Sequence, residues 1–291
     1  MKKANITRRG LKKTMMAVLG IAGMTAFLAG CGDTETVESQ QSISVSGSTS
    51  VTEVMELLAE TWEQKNPSAV IEVQGTGSSA GIKAANDGTS EIGMSSRKVK
   101  PEEENANITE AILAHDGIAV VVNPDNKVNN LSKSTIADIF RGDVTNWKEV
   151  GGGNHPIVIV TRDPASGTRG AFEDIMKLTI KTPSGHNISA VADTAQVASG
   201  NGVVKTTVAH NPYAIGYVSL GTVDDSLKAL EVDGVAPSVT TISNREYSIA
   251  RPFVLLYDEE TLSPEGRKYL KWILSDEGQN VVAKHGYIPV G

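Results

Sequence analysis

A single cysteine, Cys31, stands among 291 residues, which rules out an internal disulfide. Histidine is nearly as scarce. His115, His155, His186, His210 and His285 fall at no metal-ligand spacing, so neither a metal nor any other cofactor is expected. Phe, Trp and Tyr make up only 4% of the chain, too little for a site built on ring stacking, as sugar sites usually are. Positive charge is also short. The first 30 residues hold six of the 27 Lys and Arg and none of the 34 Asp and Glu, which leaves the remainder near −13. A body so acidic repels polyanions at long range and excludes nucleic acid as a partner.

The six early cations, Lys2, Lys3, Arg8, Arg9, Lys12 and Lys13, precede the apolar run Thr14 to Ala29. That run is too short to span a bilayer stably, and residues 1–30 read as an export signal. The stretch Thr7-Arg8-Arg9-Gly10-Leu11 partly resembles a twin-arginine signal, although an ordinary basic start produces the same letters. Leu28-Ala29-Gly30-Cys31 resembles the lipobox of bacterial lipoproteins in all four positions. The resemblance implies that Cys31 carries a lipid anchor with acyl chains such as palmitate, on the extracytoplasmic face of the cell membrane. The alternative is a stray thiol in a tail. Residues 31–42 are then the lipidated cysteine and a polar, flexible tether.

Beyond the tether, strand-like and helix-like segments alternate, which predicts an α/β architecture with parallel sheets. Strands are expected at Ile43–Val45, Val70–Gln74, Ile157–Thr161 and Ala214–Leu220. Ser50-Val51-Thr52-Glu53 reads as a capping box, with Val51, Val54, Met55, Leu58 and Trp62 on one helical face and Asn66-Pro67 as the stop. The cluster Gly75 to Gly81 reads as a break before a helix from about Ile82, and a further helix is expected from Thr168 to about Leu178. Two apolar runs, Gly117–Asn123 and Pro252–Tyr257, read as crossovers between two lobes, and Pro264–Lys284 as one closing amphipathic helix. Lobe 1 is expected to be 43–118 plus 252–291, and lobe 2 to be 119–251.

Three times a strand runs into a Ser/Gly/Thr cluster and then a helix: SGSTSV at 46–51, GTGSSAG at 75–81 and ASGTRG at 165–170. Unpaired first-turn N–H groups, hydroxyls and the helix dipole make such starts anion sites, yet Ser and Thr are also the commonest caps, so one alone means little. Three in one chain point further, because Arg162 leaves a strand end just before the helix capped by Ser166, and its planar fork suits a tetrahedral oxyanion. A salt bridge to Asp163 is the plain alternative. Arg169 is expected to face solvent or an acidic neighbour. Arg97 stands either at a cleft edge or in a solvated basic stretch with Lys98 and Lys100.

SGSTSV, GTGSSAGIKAA, EIGMSSR, IADIFRGDVTNW, RDPASGTRGAFE and NPYAIGY, in this order over about Ser42 to Gly291, resemble the phosphate-binding lipoproteins of phosphate-specific ABC transporters. The resemblance implies the two-lobed type II periplasmic-binding-protein fold and inorganic phosphate in the interlobe cleft, with no enzymatic step. It further implies delivery to ABC transporter permease subunits for import, and a monomer is expected. Carried over by position, the ligands are Thr49, the N–H of Ser50, Ser78, Arg162, and the turn Ser166, Gly167, Thr168. Ser96 stands where the best-known members carry an aspartate that accepts the proton of bound phosphate. A serine both accepts and donates, so it discriminates less against sulfate, and the acceptor is left open between a backbone carbonyl and Asp163.

Other readings remain. The same fold can hold sulfate, molybdate or another tetrahedral anion, or serve an adhesin or signalling lipoprotein. Gly77-Ser78-Ser79-Ala80-Gly81 also fits the G-x-S-x-G elbow of serine hydrolases, with Ser79 as nucleophile. Only two strands precede Ser79, and no histidine stands in a catalytic context; His285 reads as a helix C-cap.

Overall fold

The structure is a computed structural model that describes residues 41–185 and 187–290. The export signal, Cys31 and nearly all of the tether lie outside these residues. Where the tether was expected to reach Ser42, strand β1 already begins, at Gln41.

In the first lobe β1 (Gln41–Gly47), β2 (Ala69–Gly75) and β3 (Ile92–Ser95) run parallel in the order β2-β1-β3. Helix α1 (Thr49–Lys65) follows β1 and buries Val51, Val54, Met55, Leu58 and Trp62 on the expected face, ending at Asn66. Helix α2 (Ser78–Asn86) starts four residues before the expected Ile82. Gly81 lies inside it. A Cβ there would stand 2.5 Å from Gly47 Cα and 2.7 Å from Met94 O, so the glycine serves close packing of α2 on β1 and β3.

The long strand β4 (Thr109–Val122) carries the chain into the second lobe. There follow β5 (Asn130–Leu131), α3 (Lys133–Arg141), β6 (Val158–Arg162), α4 (Gly167–Met176) and the hairpin of β7 (Thr179–Lys181) and β8 (Asn187–Ser189). Next come β9 (Gln196–Ala198), α5 (Asn201–Ala209), β10 (Ala214–Ser219), the short β11 (Lys228–Ala229) and β12 (Glu231–Val232), and α6 (Val239–Ser243). Strand β13 (Ala250–Tyr257) returns antiparallel to β4. The expected single closing helix is two, α7 (Pro264–Ile273) and α8 (Asp276–Lys284), because Ser275 caps a new start and Gly278 packs on Trp272 O and Ile273.

The sheet order is β2-β1-β3-β13-β4-β10-β6-β9, so β4 and β13 are the strands that join the two halves. The near end of β4 pairs β13 at Gly117–Ala250, and its far end pairs β10 from Ile118 to Val122. Each half has its own apolar core: Ile43, Leu58, Met94, Phe253 and Tyr269 on one side, Ile118, Phe140, Trp147, Phe172 and Tyr217 on the other. Burying a side chain of this size contributes roughly 1.5–3 kcal/mol, so each half is stabilised largely from within.

Candidate functional site

The three helix starts read from the sequence all lie at C-terminal strand ends. At the first, Gly47 takes φ +143°, and a Cβ would collide with Met94 O, so β1 passes directly against β3. Helix α1 is capped by Ser48, whose Oγ accepts from Ser50 N at 3.2 Å. The cap therefore lies two residues before the expected Ser50, and with Val51 at the third helical position no capping box forms. The reason is local: three successive hydroxyls compete, and Ser48 also reaches Ser96, donating to its Oγ at 2.8 Å. Ser50 N, expected to face the ligand, is spent on the cap, and the Ser50 hydroxyl instead enters the site.

At the second start Gly77 takes φ +97° and offers no side-chain cap. Ser78 is fully buried; its Oγ accepts from Ser96 N at 3.1 Å and lies 3.4 Å from Ser96 Oγ. At the third, Ser166 Oγ caps Arg169 N at 3.2 Å, which leaves the amides of Gly167 and Thr168 facing forward from the helix end without an intrahelical acceptor.

Arg162, the last residue of β6, is 1% exposed. Its Nε donates to Ala198 O at 3.2 Å, Nη1 to Asn201 Oδ1 at 3.0 Å, and Nη2 to Thr49 Oγ1 at 3.2 Å and Ser199 O at 3.4 Å. The alternative partner Asp163 is only at 3.8 Å, and its Oδ1 accepts from Ala165 N. Burial lowers the Arg162 pKa, with Asp163 opposing and Arg251 adding to the shift, but a guanidinium remains charged in protein surroundings. Behind it Tyr217 stacks on Phe172 at 4.0 Å, and burial pushes the phenol up to about 12. The low-dielectric surroundings of these rings strengthen the field of Arg162.

The two lobes meet here. Ser50 Oγ lies 2.9 Å from Thr168 Oγ1, Ser79 N donates to Ala165 O at 3.2 Å, and Arg162 reaches Thr49. Gly167 sits so close to Ser78 and Ser96 that a Cβ would overlap Ser78 Oγ and stand 2.6 Å from Ser96 Oγ. Thr49, Ser50, Ser78, Ser96, Arg162, Ser166, Gly167 and Thr168 thus converge on one place.

Two contributors went unseen. Asn201 donates to Ser50 Oγ at 2.9 Å while accepting from Arg162, and it opens α5 after Ser199-Gly200, a fourth polar helix start that the sequence displays. Arg251 donates from Nη2 to Ser50 Oγ at 3.0 Å and is the one charge in the run ARPFVLLY, an anomaly in a buried strand. Asp116 faces it, with Oδ2 accepting from Arg251 Nη2 at 2.9 Å, Arg251 Nε at 3.2 Å and Ser219 Oγ at 2.8 Å. Burial raises the Asp116 pKa, and Arg251 and Ser219 oppose it.

The other candidates have structural partners. Arg97 is buried, not part of a solvated stretch, and forks onto Glu103 at 2.7 Å through both Nη atoms. Arg97 Nη2 also donates to Ser79 Oγ at 3.0 Å, and among the described residues no histidine hydrogen-bonds Ser79. Arg169 donates to Glu173 at 2.6 Å and to Arg162 O at 2.7 Å. His285 caps α8, His115 pairs with Ile288, and His155 stacks on Tyr213. Among the described residues no helix is long and apolar enough to cross a membrane.

A family model described as the PBP superfamily domain matches residues 33–277. The phosphate-binding protein PstS of Bacillus subtilis is 30% identical over 302 residues, covering 96% of this chain and 95% of its own. A crystal structure from Clostridium perfringens, described as a phosphate ABC transporter substrate-binding protein with bound phosphate, is 44% identical. It superposes with a TM-score of 0.81 over 86% of this chain and all of its own. An ABC-type phosphate transport receptor from Vibrio cholerae is 38% identical, with a TM-score of 0.71 over 84% of this chain and 99% of its own.

Proposed function

Since the chain belongs to the PBP superfamily and, within it, to the phosphate-binding receptors of ABC transporters, we propose that it captures inorganic phosphate between its lobes. From that cleft it hands the anion to a membrane permease for import. The fold is the two-lobed, type II periplasmic-binding architecture, and its relatives are receptors rather than enzymes.

The observation that carries the proposal is the meeting of Arg162 from one lobe with Thr49 and Ser50 from the other, beside the free first-turn amides of Gly167 and Thr168. A buried guanidinium beside free first-turn amides suits a tetrahedral anion. Thr49, Ser78 and Ser96 hold phosphate on lobe 1, 43–118 plus 252–291, and Ser50 backs them from its contact with Thr168. Arg162, Ser166, Gly167 and Thr168 close on it from lobe 2, 119–251, by bending at β4 and β13. Ser50 acts through its hydroxyl. Ser96 Oγ, which accepts from Ser48, keeps a lone pair with which to accept the proton of bound phosphate.

Cys31, lipidated after removal of residues 1–30, tethers the receptor, acting as a monomer, to the outer face of the cell membrane. The sequence Leu28-Ala29-Gly30-Cys31 supports this. A melting experiment on ligand-stripped protein tests the binding step. Phosphate at about 1,000 times Kd adds about 4 kcal/mol and raises Tm by about 10 °C, whereas chloride at the same concentration does not. An unchanged Tm with phosphate overturns the proposal.

A further inference from the structure

We propose that Arg251 is a second guanidinium of the anion site, acting on phosphate from the hinge strand β13; this rests on the phosphate reading above. Arg251 is 3% exposed, and burial lowers its pKa while Asp116 opposes the shift. A guanidinium held only for structure commonly spends its fork on a carboxylate and its remaining donors on carbonyls. Here Nε and Nη2 meet the one oxygen Asp116 Oδ2, and Nη2 goes on to Ser50 Oγ. Nη1 is buried with no partner among the described residues. Two buried, unspent N–H donors are costly unless something accepts from them, and they belong to a side chain already in contact with the site. Phe253, with its ring centroid 5.5 Å from Arg251 Cζ, and the Asp116 carboxylate hold the group in place.

The hydroxyls beside Arg251 also form a directed chain. Ser50 Oγ accepts from Arg251 Nη2 and from Asn201 Nδ2, which fills both lone pairs. Its own proton must then go to Thr168 Oγ1, 2.9 Å away, and the Thr168 proton is left for the anion. Asn201 and Arg251 are therefore positioning residues for a one-way chain of donors that crosses between the lobes. Arg251 adds its charge directly through Nη1. Among the buried ionised groups at this place, Arg162 and Arg251 oppose Asp116 alone, so the site keeps one net positive charge for its ligand.

The experiment compares phosphate titration with melting of the ligand-free protein in two variants. Arg251→Met combined with Asp116→Asn removes the pair together and leaves no buried charge unpartnered. Arg251→Lys keeps the charge and the Asp116 pair but lacks Nη1. The expected results are a loss of at least about 30-fold in phosphate affinity for the double variant at near-native Tm, and an intermediate loss of about 5–10-fold for Arg251→Lys. Affinity within about 3-fold of wild type in the folded double variant overturns the inference. Should that variant not fold, affinity within about 2-fold in Arg251→Lys overturns it equally. Wild-type protein that binds phosphate and loses binding on Arg162→Ala, beside an unaffected Arg251 variant, leaves the proposed function standing and removes this inference. Wild-type protein that takes up no phosphate removes both.

Discussion

Replacing Arg162 by alanine is expected to weaken phosphate binding by at least about 100-fold, because a buried, charge-assisted pair of donors contributes more than two ordinary hydrogen bonds. Arg162 is also the hub of its own surroundings, tied to Ala198 O, Ser199 O, Asn201 and Thr49. Its loss leaves Asn201 Oδ1 without that donor and frees Asn201 to turn away from Ser50. Arg162→Lys does not rescue, since one ammonium on a flexible stem cannot address Ala198, Asn201 and Thr49 together. Calorimetric titration of both variants checks this. Retained affinity in Arg162→Ala places the anion elsewhere.

Gly167→Ala is expected to cost nearly as much without touching any charge. Helix α4 begins at Gly167, where alanine is locally favourable, so the isolated lobe does not suffer. What suffers is the approach of the lobes: the new methyl overlaps Ser78 Oγ and stands 2.8 Å from Ser78 Cβ, in a place with no room to yield. Overpacking of this kind costs about 1–3 kcal/mol, charged entirely to the closed form, and affinity falls by roughly 10–100-fold. Gly170→Ala, three residues on, is the contrast. Its Cβ meets Arg97 Cδ at 2.9 Å, the middle of a side chain that can shift, and the loss is a few-fold. Titration alongside small-angle scattering, which reads closure as a smaller radius of gyration, separates the two. Native affinity in Gly167→Ala contradicts this account of closure.

Local signals carried much of this architecture. The periodic face Val51, Val54, Met55, Leu58, Trp62 and the β-branched runs near Val70 and Ile159 follow from side-chain spacing, which is a property of neighbours in the chain. The errors share one cause. Gly81 reads as a breaker because glycine disfavours helices, yet its smallness is demanded by Gly47 and Met94, both outside its helix. The cap belongs to Ser48 rather than Ser50 because Ser48 has a second partner in Ser96. The helical period runs on through Leu274 and Ser275, so the break between α7 and α8 is set by packing on Trp272 and Ile273.

The site divides in the same way. Arg162 and the three helix starts stand out in the sequence, and the resemblance to phosphate-binding lipoproteins supplies the positions at which they serve. Asn201 and Arg251 lie 151 and 201 residues from Ser50, and only the fold brings them to it. Their signals, a fourth Ser-Gly-Asn helix start and a lone arginine in an apolar strand, are intelligible once the strand order sets β13 between β3 and β4, and β9, which leads into Asn201, beside β6.

The central claim is that this cleft is built for phosphate. Its most direct test is calorimetric titration of phosphate, and separately of sulfate, into ligand-stripped protein at pH 7. The account predicts one phosphate per chain and sulfate weaker by at least about 100-fold, with Ser96 or a neighbouring oxygen accepting the proton that only phosphate carries. Equal binding of both anions, or heat from neither, contradicts it.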